Sequence, residues 1–364
     1  MAVITGNLIK FFTRALVRGL LAAAMLMHAV AQTATAQEET GSQLFQSLEP
    51  LRLTINAPFN SIHRDRGDDR EYQPATMLIT DNNGQQAALD LEIRVRGKFR
   101  ARKDICQNPP LRLNFKRNSL DNTVFEGEDK LKLVVQCKNS DAYEQYLYLE
   151  YLNYRVYQLF TDNSLRVRMA TVTYYDTERE RDLGTRPAFF IEDEDLMGER
   201  TGMTQVKADR LRPADYDAEN LNLVALFQYF TGNTDWSAFS GPAGDECCHN
   251  IIPYSRGSGP MVPVPYDFDS TGMVDASYAQ VADALPIRNV RQRLYRGVCQ
   301  ADNILQANVA RFREKENEIR ALFANQAGLS DRTLSSALNY VDLFYETIND
   351  PADLKKSIID KCRG

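Results

Sequence analysis

Histidine is scarce in this chain. Three occur in 364 residues, and His28 lies in an N-terminal stretch that reads as removable. His63 and His249 then remain, which excludes a His-rich metal site. A Ser-His-Asp hydrolase would need one of these two, and no G-x-S-x-G elbow occurs. Tryptophan appears once, as Trp236, more in keeping with packing beside a site than with a stacking platform. Long blocks of one charge are missing, and so is any repeat at a solenoid period. Beyond the N-terminus no apolar run approaches the roughly 20 residues that span a bilayer. Enzyme chemistry here has to rest on carboxylates and a bound ion.

The first 36 residues have the pattern of a secretory signal peptide. Lys10, Arg14 and Arg18 precede the apolar "GLLAAAMLMHAVA", and small-residue cleavage sites end at Ala31 and Ala36. An uncleaved anchor helix is the alternative. Cleavage after Ala36 removes those three cations and no acid, which takes the net charge from −6 to −9. An acidic chain of this kind is a poor nucleic-acid binder. The basic stretch "RVRGKFRARK" has no interleaved aromatic platform. Six cysteines in an exported chain point to disulfides and to a secreted or periplasmic location in the cell envelope. Cys247 and Cys248 are adjacent, so each is expected to bond elsewhere. A zinc reading of "CCHN" fails on ligand spacing.

Hydrophobic periodicity divides the remainder. Residues 37–48 read as a polar leader and 49–195 as a β-rich part. Strands are expected at "LRLTINAP", "ATMLIT", "LDLEIRVRGKF", "PPLRLNFK" and "KLKLVVQC", with a turn at "DNNG". One long helix interrupts them at "DAYEQYLYLEYLNYRVYQLF", with Asp141 as N-cap. "SLRVRMATVTYYDT" and "RPAFFIEDED" return to strand. Residues 196–364 read as helix-rich, through "AENLNLVALFQYFTG", "ANVARFREKENEIRALFANQ" and "DRTLSSALNYVDLFYETIND". The expected class is α+β, in two lobes with a cleft between them.

The chemistry gathers in the second part. Gly232 stops a helix, and Asp235 follows on the loop. Asn250 comes next. "VPVPYDFDSTG" then reads as a buried strand that presents Asp267 and Asp269 on one side. Two such carboxylates repel each other unless something offsets their charge. Phosphoryl transfer uses an Asp at the attacking hydroxyl, and an Asn and an Asp on the metal ions. Mg²⁺ takes hard oxygen ligands and one or two carboxylates. The ordinary alternatives are an Asx-turn at Asp235, a loop role for Asn250 and a solvated strand end at Asp267 and Asp269.

"GNTDWS…HN…VPYDFD" resembles the catalytic stretch of the spore-coat CotH-type and HipA-type atypical protein kinases. Upstream, "RVRGKFR", "PPLRLNF" and "KLKLVVQC" also resemble CotH segments, so the likeness runs over about residues 50–300. It implies a bilobal protein-kinase-like fold, with a β-rich N-lobe holding one long helix and a mainly helical C-lobe. It also implies ATP and Mg²⁺ or Mn²⁺ as cofactors, and transfer of the γ-phosphoryl group to a Ser or Thr hydroxyl of a protein. Asp235 is then the base, with Asn250, Asp267 and Asp269 as metal ligands. Lys132 with Glu150 would serve the phosphates, with Arg96 and Glu144 as alternatives, and Glu192 would lie near adenine. Fourteen residues separate Asp235 from Asn250, where typical kinases have about four, so "SAFSGPAGDECCH" is a looped insertion. No glycine-rich phosphate loop is evident. Two other functions stay open: an inactive binding or structural protein of the envelope, and AMP transfer on the same scaffold.

Overall fold

The computed structural model describes residues 42–80, 85–116 and 120–364. The expected signal peptide, the start of the leader and the "DNNG" turn lie outside the described residues.

Alternating apolar residues build the first strands. In β1 (Leu51–Ala57), Leu53, Ile55 and Ala57 are buried and their neighbours are not. The same period of two runs through β3 (Gln86–Val95) and β4 (Leu111–Phe115). With β2 (Gln73–Thr80), β5 (Lys130–Val135), β6 (Val167–Asp176) and β7 (Arg181–Ile191), they close into one barrel in the order β1-β2-β3-β4-β5-β7-β6. Closure comes from β1, which pairs antiparallel with β2 and parallel with β6, Leu51 opposite Ala170 and Ala57 opposite Asp176. No strand of the seven is left with a free edge. The leader is not solvated throughout: Leu44 and Phe45 are buried in the barrel core, and the Arg168 guanidinium donates to the Leu44 carbonyl at 2.9 Å. A short helix, α1 (Phe59–Arg64), follows β1.

This arrangement overturns the bilobal protein-kinase-like expectation. The N-terminal strands close on themselves as a mixed barrel. The C-terminal half is not a mainly helical lobe: residues 266–301 hold no helix, and β8 (Thr204–Gln205), β9 (Ile251–Ser255) and β10 (Val262–Pro265) form a second, antiparallel sheet. The strand patterns were legible, but closure depends on pairing residues more than 100 positions apart, which no local periodicity encodes.

The long helix α2 (Asp141–Gln158) has Ser140 at its N-cap position, one residue before the expected Asp141, without a side-chain capping bond. It packs on the outer face of the β5–β7–β6 seam. There β7 is buried on both faces from Ala188 to Ile191, and Tyr151 and Tyr154 meet the Phe189 ring edge-on. A second core gathers α2, this seam and the C-terminal helices. Its centre is α4 (Ala218–Thr231), which follows α3 (Glu194–Thr201) and is buried on every side from Leu221 to Thr231. Around it lie α5 (Asp302–Ala324) and α6 (Asp331–Asn349), with α7 (Pro351–Ser357) after them. No described helix is long and apolar enough to cross a membrane.

All six cysteines are paired: Cys106–Cys137, Cys247–Cys248 and Cys299–Cys362. The expectation that Cys247 and Cys248 bond elsewhere is overturned. The backbone beside each distant pair already holds it together, through Asn108 N–H on the Cys137 carbonyl and Cys299 N–H on the Arg363 carbonyl, both 2.9 Å. The adjacent cysteines are left to each other.

Gly202 and Gly232 both end helices in the left-handed region, at φ +66° and +68°. Their surroundings differ. An added Cβ meets nothing at Gly202 but overlaps the Tyr340 hydroxyl at Gly232. Gly202→Ala should therefore cost only its backbone strain, about 1 kcal/mol. Gly232→Ala should cost roughly 2–4 kcal/mol, since overpacking adds to strain. Equal urea midpoints for the two variants would refute this role for Tyr340.

Candidate functional site

The loop after β10 places the two central carboxylates. The strand ends at Pro265, so Asp267 and Asp269 are not strand neighbours on one face, as the sequence implied. Asp267 turns with φ +60°, and its N–H donates to the Tyr154 hydroxyl of α2 at 2.9 Å. Phe268 is fully buried between Tyr154 and Phe227. With the intervening ring anchored, the flanking carboxylates are fixed in direction.

The charge facing them is Arg100, in the turn that follows β3. Its guanidinium bonds both Glu150 oxygens, at 3.0 and 3.2 Å. Its Nε lies 2.9 Å from Asp269 Oδ2, and Nη2 is 3.7 Å from Asp267 Oδ1. Burial opposes charge on Arg100, but Asp269, Glu150 and Asp267 outweigh it and hold the guanidinium well above its usual range. Burial pushes the Glu150 carboxyl up to about 7 against the pull of Arg100. Asp269 is also raised by burial. Its side chain is nearly covered, whereas that of Asp267 is 43% exposed.

Opposite stands Asp235. Gly232 turns the chain out of α4, and Asp235 N–H donates to Asn233 Oδ1 at 2.9 Å. The insertion returns as an antiparallel bridge between Ser237 and His249. That return sets His249 Nε2 2.7 Å from Asp235 Oδ1. Asn250 Nδ2 donates to the Asp235 carbonyl at 2.7 Å and to its Oδ2 at 3.3 Å. The hydrogen bond from His249 holds Asp235 below the usual carboxylate range, and the same bond raises His249. The two carboxylate loops are stitched directly together. Gly272 N–H donates to the Gly232 carbonyl at 3.2 Å and Met273 N–H to the Thr231 carbonyl at 2.9 Å.

Asp235, His249, Asp267, Asp269, Arg100, Arg96 and Lys98 line one cavity of about 490 Å³. Arg96 and Lys98 also border a neighbouring groove of about 940 Å³, where Arg70, Arg94, Arg112, Lys130 and Lys132 add positive charge. Arg96 Nε is buried without a partner.

The structure thus brings Asp235, Asn250, Asp267 and Asp269 together, with Arg96 at the margin. It does not join Lys132 to Glu150. Lys132 bonds Glu194, and Glu150 faces Arg100. Glu144 accepts from Tyr148 within its own helix. Glu192 is fully buried, clamped by both Arg200 donors at 2.8 Å and by the Arg166 N–H at 2.9 Å. None of its oxygens is left to meet a ligand. Of the other acids of "FFIEDED", half-buried Asp193 caps α3 and half-buried Glu194 takes Lys132, while Asp195 is exposed. Trp236 is buried. The sequence reading gave no role to Arg100 or His249, although the first lay inside the "RVRGKFR" stretch and the second beside Asn250.

Among the described residues no group of three or more His, Cys, Asp or Glu side chains could hold a metal alone. The residues present still suit Mg²⁺ carried in by a phosphate. Asp267 has open acceptor capacity, and Mg²⁺ usually takes one or two carboxylates, with water and phosphate oxygens for the rest. No known protein family matches the chain, and no curated protein matches it.

Arg100→Ala strands Glu150 and Asp269 without their cation. It should cost about 3–5 kcal/mol near neutral pH. Glu150 titrates at about 7 in the folded state, above the ordinary carboxyl value of 4.5. The folded protein therefore keeps a proton that the unfolded chain has lost, and this contribution fades as pH rises through 7. Without Arg100 the carboxyls rise further, so the loss should shrink at about pH 5. Denaturant midpoints that fall equally at both pH values would contradict the ion-pair role.

Proposed function

We propose that this chain is an exported phosphotransferase that binds ATP with Mg²⁺ or Mn²⁺ and passes the γ-phosphoryl group to a Ser or Thr hydroxyl of a protein. The observation that carries this reading is the meeting of Asp235 and Asp267 around one cavity, with Asn250 hydrogen-bonded to Asp235 despite the insertion between them. The local likeness of "GNTDWS…HN…VPYDFD" to CotH-type and HipA-type kinases supports the reaction class. The reading rests on that site and not on the overall architecture. Three disulfides are compatible with a secreted or periplasmic protein.

Asp267 would hold the ion with Asp269 behind it. Asn250 donates its Nδ2 to Asp235, which leaves Oδ1 as an acceptor. A bound divalent ion supplies neutralisation of the phosphates. Arg96, buried and unpartnered at Nε, and exposed Lys98 offer charge to the same phosphates. Asp235 is held ionised by His249 and can accept the hydroxyl proton. The acceptor oxygen then bonds the γ-phosphorus, the bond to the β–γ bridging oxygen breaks, and ADP leaves.

One observation favours binding without transfer: Lys132 is held by Glu194 and Glu150 by Arg100, so the pair expected to serve the phosphates is not formed. Thermal-shift titration and labelled ATP separate the readings. A shift by ATP is expected only with Mg²⁺ or Mn²⁺. Asp267→Ala should abolish it, because triphosphate and carboxylates repel each other without the ion. Asp235→Ala should keep the shift and lose transfer by at least about a hundredfold. A metal-dependent shift with no label transferred supports the binding reading. Transfer of label from α-labelled but not γ-labelled ATP supports AMP transfer. No metal-dependent shift in the wild type removes the nucleotide altogether.

A further inference from the structure

A second cavity opens at one mouth of the barrel, where β5 and β6 end and β4 and β7 begin. It measures about 400 Å³ and shares no lining residue with the carboxylate site. That volume suits a small organic ligand.

Part of its wall is aromatic. α1 lays Phe59 against Tyr174 of β6, centroids 5.5 Å apart and edge to face, with His63 5.7 Å from Phe59. Leu111 and Val135 add apolar surface. Tyr174 is 6% exposed, and its hydroxyl is buried with no hydrogen-bond partner. Buried hydroxyls without partners are uncommon in native proteins. Burial pushes the His63 imidazole down to about 4, so at neutral pH the ring is uncharged and offers one donor and one acceptor.

The rim is cationic. Arg64 and Arg181 border the cavity and are exposed; neither makes a salt bridge among the described residues, though Arg64 helps to lower the Glu178 carboxyl. Arg186 donates to the Leu183 carbonyl at 2.5 Å and stands 5.9 Å over the Tyr174 ring. Asp176 is buried and accepts the Glu178 N–H at 3.1 Å, and exposed Asp182 accepts the Gly184 N–H at 2.7 Å. A cavity with an apolar floor and two exposed guanidiniums at its edge is complementary to a flat molecule with an acid at one end.

We propose that the barrel mouth is a binding site for a small aromatic carboxylate, its ring laid on the cavity floor beside Tyr174 and Val135 and its acid group on Arg64 and Arg181. This does not depend on the phosphotransferase reading. The fluorescent probe 6-hydroxy-2-naphthoate tests it, titrated into the whole protein beside neutral 2-naphthol and inorganic phosphate. The naphthoate should bind with a Kd of about 1 mM or tighter. 2-Naphthol and phosphate should each bind at least about tenfold more weakly, the worth of a charge-assisted bond or of the ring contact. Arg64→Ala with Arg181→Ala should lose about tenfold; both side chains are exposed, so the fold is retained. Tyr174→Phe should weaken the probe, and Asp267→Ala should leave it unchanged. Failure of the naphthoate to bind would overturn the proposal. So would equal affinity in the double arginine variant, phosphate as strong as the naphthoate, or loss in Asp267→Ala.

Discussion

Arg100 is 8% exposed and has carboxylates on three sides. They come from separate parts of the chain: Glu150 from the long outer helix, Asp267 and Asp269 from the loop after the second sheet. Arg100 itself hangs from the barrel. Burying such a group is costly, and only dense pairing offsets the loss of hydration. The bidentate contact with Glu150 and the Nε contact with Asp269 provide it. Barrel, helix and carboxylate loop are thereby held by one guanidinium, and the direction of Asp269 follows from it. Asp267, the least covered of the three carboxylates, is the one left with capacity to spare.

Backbone contacts hold the other side. The end of α4 and the loop after Asp269 exchange hydrogen bonds at Gly232–Gly272 and Thr231–Met273. Such closeness needs residues without Cβ, because Tyr340 fills the space beside both glycines. Arg293 lies 3.7 Å over that ring and donates to the Tyr340 and Phe230 carbonyls. The α6 helix thus supports, from behind, the turn that presents Asp235. A site built this way keeps its spacing because packed side chains fix both loops, not because either loop is rigid alone.

Local chemistry was legible in the sequence where a local rule governs. The aromatic period of "DAYEQYLYLEYLNYRVYQLF" became α2, the stop at Gly232 became a left-handed cap, and "VPVP" became a fully buried strand. Asp235, Asp267 and Asp269 line one cavity, with Asn250 bonded to Asp235, although the spacing of the first two motif residues is longer than in typical kinases. What failed was long-range. The parallel pairing of β1 with β6 leaves no mark on either strand, since both faces of that choice read as the same alternation. The partner of a charge is equally invisible. Lys132 and Glu150 sit on adjacent elements, yet each is satisfied by a residue tens of positions away, Glu194 and Arg100. The adenine contact implied for Glu192 fails for the same reason: Arg200 pairs with it and leaves it wholly covered.

One short segment links these features. Residues 106–111 are tied to the end of β5 by Cys106–Cys137 and by Asn108 Nδ2 on the Gln136 carbonyl. Pro110 borders the carboxylate cavity, while Asn108, Pro109 and Leu111 border the barrel mouth. The Pro110 carbonyl accepts the Arg96 N–H at 2.9 Å, so this segment also sets the backbone of Arg96, whose Nε has no partner among the described residues. Two prolines and a disulfide leave the segment few conformations to lose on folding. Cys106, Pro109, Pro110 and Leu111 are also buried, so covalent restraint and burial act together to keep this wall between the two cavities in place.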